Sequence, residues 1–239
     1  MTLLALSLRS VVRGRRVFVV GLLPLLVGLI AVLLAVTADG TDRTAAYDTL
    51  VGDLLLPLVV ALVALVLGVN AFGDERDERT LGLLLATTLP RPRIVLVKYT
   101  AAAAVTWLVC LPATLGCIVL GTAATDLPAG EVVGSLVVAS LLAAAAYAAL
   151  FVLLSLLLQR AVLVGLAYLV LWEGLLAGTA TTFRNLSVGA YANAVVGAPW
   201  DEPPFPTADV SVVAAVLVLL VVTAGAVALS AWRLPRTHL

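Results

Sequence analysis

Histidine is almost missing from this chain: the single one, His238, sits beside the final residue. A catalytic imidazole or a histidine metal cluster therefore has nothing to be built from. Cysteine is nearly as scarce, with Cys110 and Cys117 the two present. Seven helical residues separate them by about 10 Å, too far for a disulfide. They read as small packing residues on one helix face. Charge is the third deficit: Asp, Glu, Lys and Arg make up 12% of the chain, against roughly 25% in soluble domains. No Gly-x-Ser-x-Gly element occurs, and no carboxylate pair lies within an apolar stretch. Serine, metal and aspartyl hydrolases working inside a membrane thus lack their parts. A GxxxxGK[ST] loop is missing too, so the chain cannot cradle nucleotide phosphates in that way.

What remains is apolar. Hydrophobic residues are 63% of the sequence, gathered into runs at about 17–36, 54–72, 99–121, 132–158, 161–180 and 210–232. About 20 apolar helical residues cross a bilayer, and a helix is the form that satisfies its own backbone there. The fourth and fifth runs are separated only by Gln159 and Arg160. A single helix of that length would overshoot the hydrocarbon, so the arginine marks a tight hairpin at the membrane surface. The expectation is an all-α polytopic membrane protein of six transmembrane helices, one domain over 1–239, with short connections.

Basic residues set the orientation. With the amino terminus in the cytoplasm, the inside holds Arg9, Arg13, Arg15, Arg16, Arg76, Arg79, Arg91, Arg93, Lys98, Arg160, Arg233 and Arg236. The outside keeps only Arg43 and Arg184, beside Asp39, Asp42, Asp48, Asp53, Asp126, Glu131, Asp201, Glu202 and Asp209. Both termini are expected inside. The first run has a basic leader and an apolar core too long for a cleaved signal peptide, although Val36-Thr37-Ala38 would pass as a cleavage site. Prolines 24, 57 and 112 fall in or near spans and each removes a helix donor. Packing kinks and gating hinges both fit them. Gly174 and Gly178 form a short GxxxG pattern.

Four segments carry mechanistic content. Leu4, Leu8, Val11 and Val12 share one face of residues 1–16 while Arg9, Arg13 and Arg16 occupy another; an interfacial helix on the inner leaflet or a plain basic flank follows. In the 74–93 segment, charges from Asp74 to Arg79 precede Leu81, Leu84, Leu85 and Thr88 at i, i+3, i+4, i+7, and Pro90 and Pro92 end the pattern. That is a short amphipathic helix, and its leucine stripe needs lipid or a partner protein to cover it. Glu173 is the lone ionisable residue deep in a span. Burying such a charge costs about 2.5–3.5 kcal/mol on insertion scales. It is protonated or paired, with Arg184 as one candidate, and it serves either substrate or partner contact or a structural hydrogen bond. The 181–209 segment holds Phe183, Leu186, Val188, Tyr191, Val195, Val196, Trp200 and Phe205. It is too apolar for a free loop and reads as short re-entrant helices or an aromatic interfacial anchor.

The 75–98 stretch resembles the signature of the type-2 ATP-binding-cassette (ABC-2) permeases, through Glu75, Glu78, Thr80, Leu81, Leu84, Leu85, Pro90, Arg93 and Lys98. The six-span count, the inside termini, Leu171-Trp172-Glu173-Gly174-Leu175-Leu176, Leu186-Ser187 and Tyr191 are similar to the same family. Arg79 stands where the family usually has glycine. The resemblance implies that 74–93 is a cytoplasmic coupling helix docking through Glu75, Glu78, Arg79, Thr80, Leu81, Leu84 and Leu85 into a separate ATPase subunit. It implies two copies of that ATPase, which bind ATP and Mg, and a second permease chain forming a homodimer in the plasma membrane of a prokaryote. No cofactor is expected in this chain, and nucleic acid is not expected among its partners.

The function expected is a permease subunit exporting an amphipathic or lipid-like substrate. The alternative is a proton-coupled secondary transporter using Glu173, although such carriers commonly show internal repeats and several polar midplane residues. A passive scaffold gives no account of an inward-facing docking helix.

Overall fold

A computed structural model describes residues 15–77, 91–176, 184–200 and 205–233. Among these residues every regular element is helical. Helix α1 is Arg15–Thr37, α2 is Gly40–Asp48, α3 is Ala61–Asp77 and α4 is Arg91–Ala124. Helices α5 (Ala129–Leu157), α6 (Ala161–Ala167), α7 (Val188–Val196) and α8 (Val212–Arg233) follow. Two stretches are wound as π-helix, Thr49–Val60 between α2 and α3 and Tyr168–Leu176 after α6. Such winding is rare, and where it occurs it tends to lie at functional sites.

Five helices are long and apolar enough to cross a membrane: Phe18–Thr37, Gly40–Phe72, Pro92–Ala124, Ala129–Leu157 and Val212–Arg233. The expected fifth of six spans is described as the shorter apolar helix Ala161–Leu175; residues 177–180 lie outside the described residues. The Gln159-Arg160 hairpin is present, with Leu158 extended at φ −123° and ψ 139° to break α5.

The second span departs most from the expected 54–72. Its helix starts at Gly40 and runs 33 residues to Phe72. Asp42, Asp48 and Asp53 do not stop it, because a carboxylate at a solvated helix end costs little, and no proline lies between Gly40 and Pro57. Likewise α4 begins eight residues before the expected boundary near Tyr99, with the basic residues Arg91, Arg93 and Lys98 in its first turns.

Helix α5 is the centre of the bundle and packs against α3, α4, α7 and α8. Ala139, Ala143, Ala146 and Ala149 are fully buried on it. Small residues of this kind let helices approach where lipid offers no hydrophobic drive. Gly68 sets the α3 crossing, since a Cβ there would lie 2.9 Å from Phe151 Cβ. Trp107 Nε1 donates to Ser140 Oγ at 3.2 Å, joining α4 to α5. The buried hydroxyls of Thr106, Thr114 and Ser230 each donate to the carbonyl four residues back, so none is left dry and unpaired. In contrast, α1 leaves Phe18 80% exposed and α8 leaves Val213 70% exposed. Those faces are what a bilayer or a protein partner would cover.

Candidate functional site

The region around Glu173 and α7 carries the most unusual chemistry. Glu173 lies on the second π segment and is only 8% exposed. Tyr168 Oη donates to its Oε1 at 3.0 Å, and the Val188 backbone N–H donates to the same oxygen at 3.1 Å. Ser187 Oγ donates to Oε2. Ser187 is also the N-cap of α7, its Oγ accepting from Ala190 N at 3.1 Å. The carboxylate thus sits at the amino end of a helix, where unsatisfied N–H groups and the macrodipole favour an anionic oxygen.

The sequence explains this local geometry. Ser187 in extended conformation, with φ −93° and ψ 129°, starts α7 as a capping serine does. Gly189 follows because a Cβ there would lie 2.7 Å from Pro57 Cβ and 3.0 Å from Glu173 Oε2. Tyr147 on α5, fully buried and stacked on Phe151 with centroids 6.2 Å apart, belongs to the same central core.

A second attachment lies one turn along α7. Asn193 is 3% exposed, and its Nδ2 donates to Gly52 O at 2.8 Å and to Pro206 O at 3.1 Å. The residue-type pattern gives a weak signal for it: Asn193 is the sole amide in an otherwise apolar run from Val188 to Val196, and a buried amide needs partners. Tyr168, Ser187 and Asn193 were not singled out as ligands of anything by sequence reasoning. Glu173 was singled out there, and its carboxylate accepts these hydrogen bonds.

The rest of the outer segment folds over the bundle. Helix α7 packs on α5 and α8, and all its residues are buried except Tyr191, which is partly so. Trp200, Phe205 and Tyr47 form an aromatic cluster with centroids 6.0 to 6.3 Å apart. Tyr191 Oη donates to Asn185 O at 2.7 Å, and Asp209 N donates to Asn185 Oδ1 at 3.1 Å. A cleft of about 470 Å³ opens beside it, lined in part by Arg184, Asn185, Trp200 and Asp209.

Where α3 meets α4, Lys98 Nζ donates to Ala71 O and lies 4.7 Å from the centroid of the Phe72 ring. The single lysine of the chain thereby ties α3 to α4 where the 74–93 segment leaves and returns. Glu75 belongs to the last turns of α3, and Arg93 is exposed at the start of α4. Glu78, Arg79, Thr80, Leu81, Leu84, Leu85 and Pro90, together with residues 1–14 and Gly178, lie outside the described residues. Among the described residues, a Cβ on Gly174 would meet Leu169 O of its own segment, at 3.5 Å. Cys110 and Cys117 are buried and free, and no cluster of three or more metal-binding side chains occurs among the described residues.

Curated proteins give no match to the chain. The family model for ABC-2 family transporter proteins matches residues 1–239, the whole length. With that match, and with a bundle of helices built to cross a membrane, the chain belongs to the ABC-2 transporter family as a multi-pass membrane permease.

Proposed function

We propose that this protein is the membrane-spanning subunit of an exporter driven by a separate ATPase. The observation that carries the reading is the α3–α4 hairpin. It presents the 74–93 segment from two helices whose ends are tied together by Lys98. A segment anchored in this way passes a displacement to both helices as one unit rather than absorbing it. Leu81, Leu84 and Leu85 supply the apolar stripe that an ATPase cleft would cover, and Glu75, Glu78, Arg79 and Thr80 its polar rim.

In this reading two permease chains, identical copies, enclose the pathway in the plasma membrane with six spans each and both termini inside. Two ATPase copies below them bind ATP and Mg and hydrolyse ATP. The substrate is amphipathic or lipid-like, which suits the apolar exposed faces of α1, α6 and α8. Glu173 as a proton carrier is not favoured: its oxygens already accept three hydrogen bonds, two from side chains and one from the backbone.

The test is affinity purification in mild detergent with mass spectrometry of the bound proteins. A P-loop ATPase in equal copy number is expected. Leu84→Asp with Leu85→Asp should abolish its recovery while leaving membrane insertion intact. Retention of the ATPase by that variant would show that the docking segment is misassigned.

A further inference from the structure

We infer that Asn193 is a positioning residue that supplies the hydrogen-bond donor Pro57 lacks, and so couples the outer helix α7 to the second span.

Pro57 lies inside the π-wound stretch Thr49–Val60. In that winding the N–H of each residue bonds to the carbonyl five residues back. The residue five before Pro57 is Gly52. Proline has no N–H, so position 57 offers the Gly52 carbonyl no donor. Asn193 Nδ2 donates to that oxygen at 2.8 Å, from a position 141 residues away in sequence. The missing donor and the amide coincide: a carbonyl buried without a partner is costly in a membrane, and a buried amide donates to the atom that residue 57 cannot serve.

The surroundings leave little slack. A Cβ on Gly52 would come 2.5 Å from Phe205 Cβ, and one on Gly189 would come 2.7 Å from Pro57 Cβ. Helix α7 therefore rests directly on the proline and on the glycine whose carbonyl it completes. Its other attachment, through Ser187 and Val188 to Glu173, holds it to the second π segment. The second span continues inward to α3 and the 74–93 segment. One side chain thus stands between the outer helix and a span whose far end carries the proposed ATPase contact. This last link rests on the function proposed above; the Asn193–Pro57 relationship does not.

The experiment is a four-protein cycle of the parent chain, Asn193→Leu, Pro57→Ala and the double variant in detergent or liposomes, read by amide hydrogen exchange over 188–196. In the parent background, Asn193→Leu should speed exchange about three- to twentyfold, the range for one interhelical hydrogen bond in a membrane protein. In the Pro57→Ala background the alanine N–H serves the Gly52 carbonyl from within the segment, and the same substitution should change exchange by at most about twofold. An equal acceleration in both backgrounds overturns the proposal, as does no acceleration in either. If Asn193→Leu alone is not recovered folded, recovery of the double variant supports the proposal and failure of both overturns it.

A second arm uses the complex with its co-purified ATPase and adds ATP with Mg. The exchange of 188–196 should respond to nucleotide in the parent, and the response should be lost in Asn193→Leu. An undiminished response removes the relay. If no ATPase co-purifies, the transport reading and the relay both fall, while the cycle still decides the Asn193–Pro57 pairing on its own.

Discussion

Gly28 on α1 and Gly116 on α4 bring two backbones into direct contact. A Cβ on Gly116 would overlap the Gly28 main chain, and a Cβ on Gly28 would overlap the carbonyl of Pro112. Most of the packing of α1 is against α4, so this crossing is the main attachment of a helix that otherwise faces outward. Gly116→Leu is expected to destabilise the protein by about 1–3 kcal/mol, the usual cost of overpacking. Gly134→Leu, where a Cβ meets nothing within 4 Å, is the control. Equal unfolding midpoints in detergent for the two variants would contradict the crossing.

Glu173 accepts from two hydroxyls and one backbone amide. Glu173→Leu strands the Val188 N–H and should cost about 1–3 kcal/mol, the penalty for a buried donor left unmade. Glu173→Gln keeps a carbonyl oxygen for Tyr168 and Val188 and should stay within about 1 kcal/mol of the parent. Unfolding in a denaturant series separates them. If the glutamine variant is as weak as the leucine variant, the charge and not the acceptor geometry holds α7.

Lys98→Met removes both the bond to Ala71 O and the contact with the Phe72 ring. A desolvated cation–π contact alone is worth up to about 2 kcal/mol. Amide exchange over residues 66–77 should rise about three- to tenfold, with exchange at α7 unchanged. A rise confined to α7, or none at all, would argue that the inner ends of α3 and α4 are held by other groups.

Cys110 and Cys117 are 1% and 0% exposed. Both should resist a maleimide reagent in the folded protein and react only after denaturation. That silence makes the chain a convenient background for mapping sides. Asp126→Cys should label in intact cells with a membrane-impermeant reagent, and Arg160→Cys only after the membrane is opened. Labelling of both from outside would break the six-span arrangement.

The apolar runs placed the long helices to within a few residues at α1, α5 and α8, because hydrophobic length is a one-dimensional property. The helix that contains the second apolar run starts well before that run. Asp42, Asp48 and Asp53 look like loop residues in a window average, yet a helix end emerging from lipid tolerates carboxylates. The cluster around Glu173 was half legible. A lone buried acid announces that it has partners, but Tyr168, Ser187 and the Val188 amide meet it only through the fold. The pairing of Asn193 with Gly52 depends on π winding, which no periodicity in the sequence marks. The crossing at Gly28 and Gly116 carries no sequence mark for a similar reason: it joins two single glycines on different helices, not a GxxxG pair on one.

The Thr49–Val60 stretch holds twelve residues wound as π-helix, with Pro57 inside it. Wound this way, a given number of residues occupies less axial length than in an α-helix. Rewinding the stretch to α spacing would push the second span longer and turn its outer end like a screw, while α3 stayed still. The Gly52 carbonyl would swing out of line with the Asn193 amide in the process. The second span is therefore shorter along its axis than the same residues would be in an α-helix, and the Asn193 amide meets the Gly52 carbonyl at that shortened spacing.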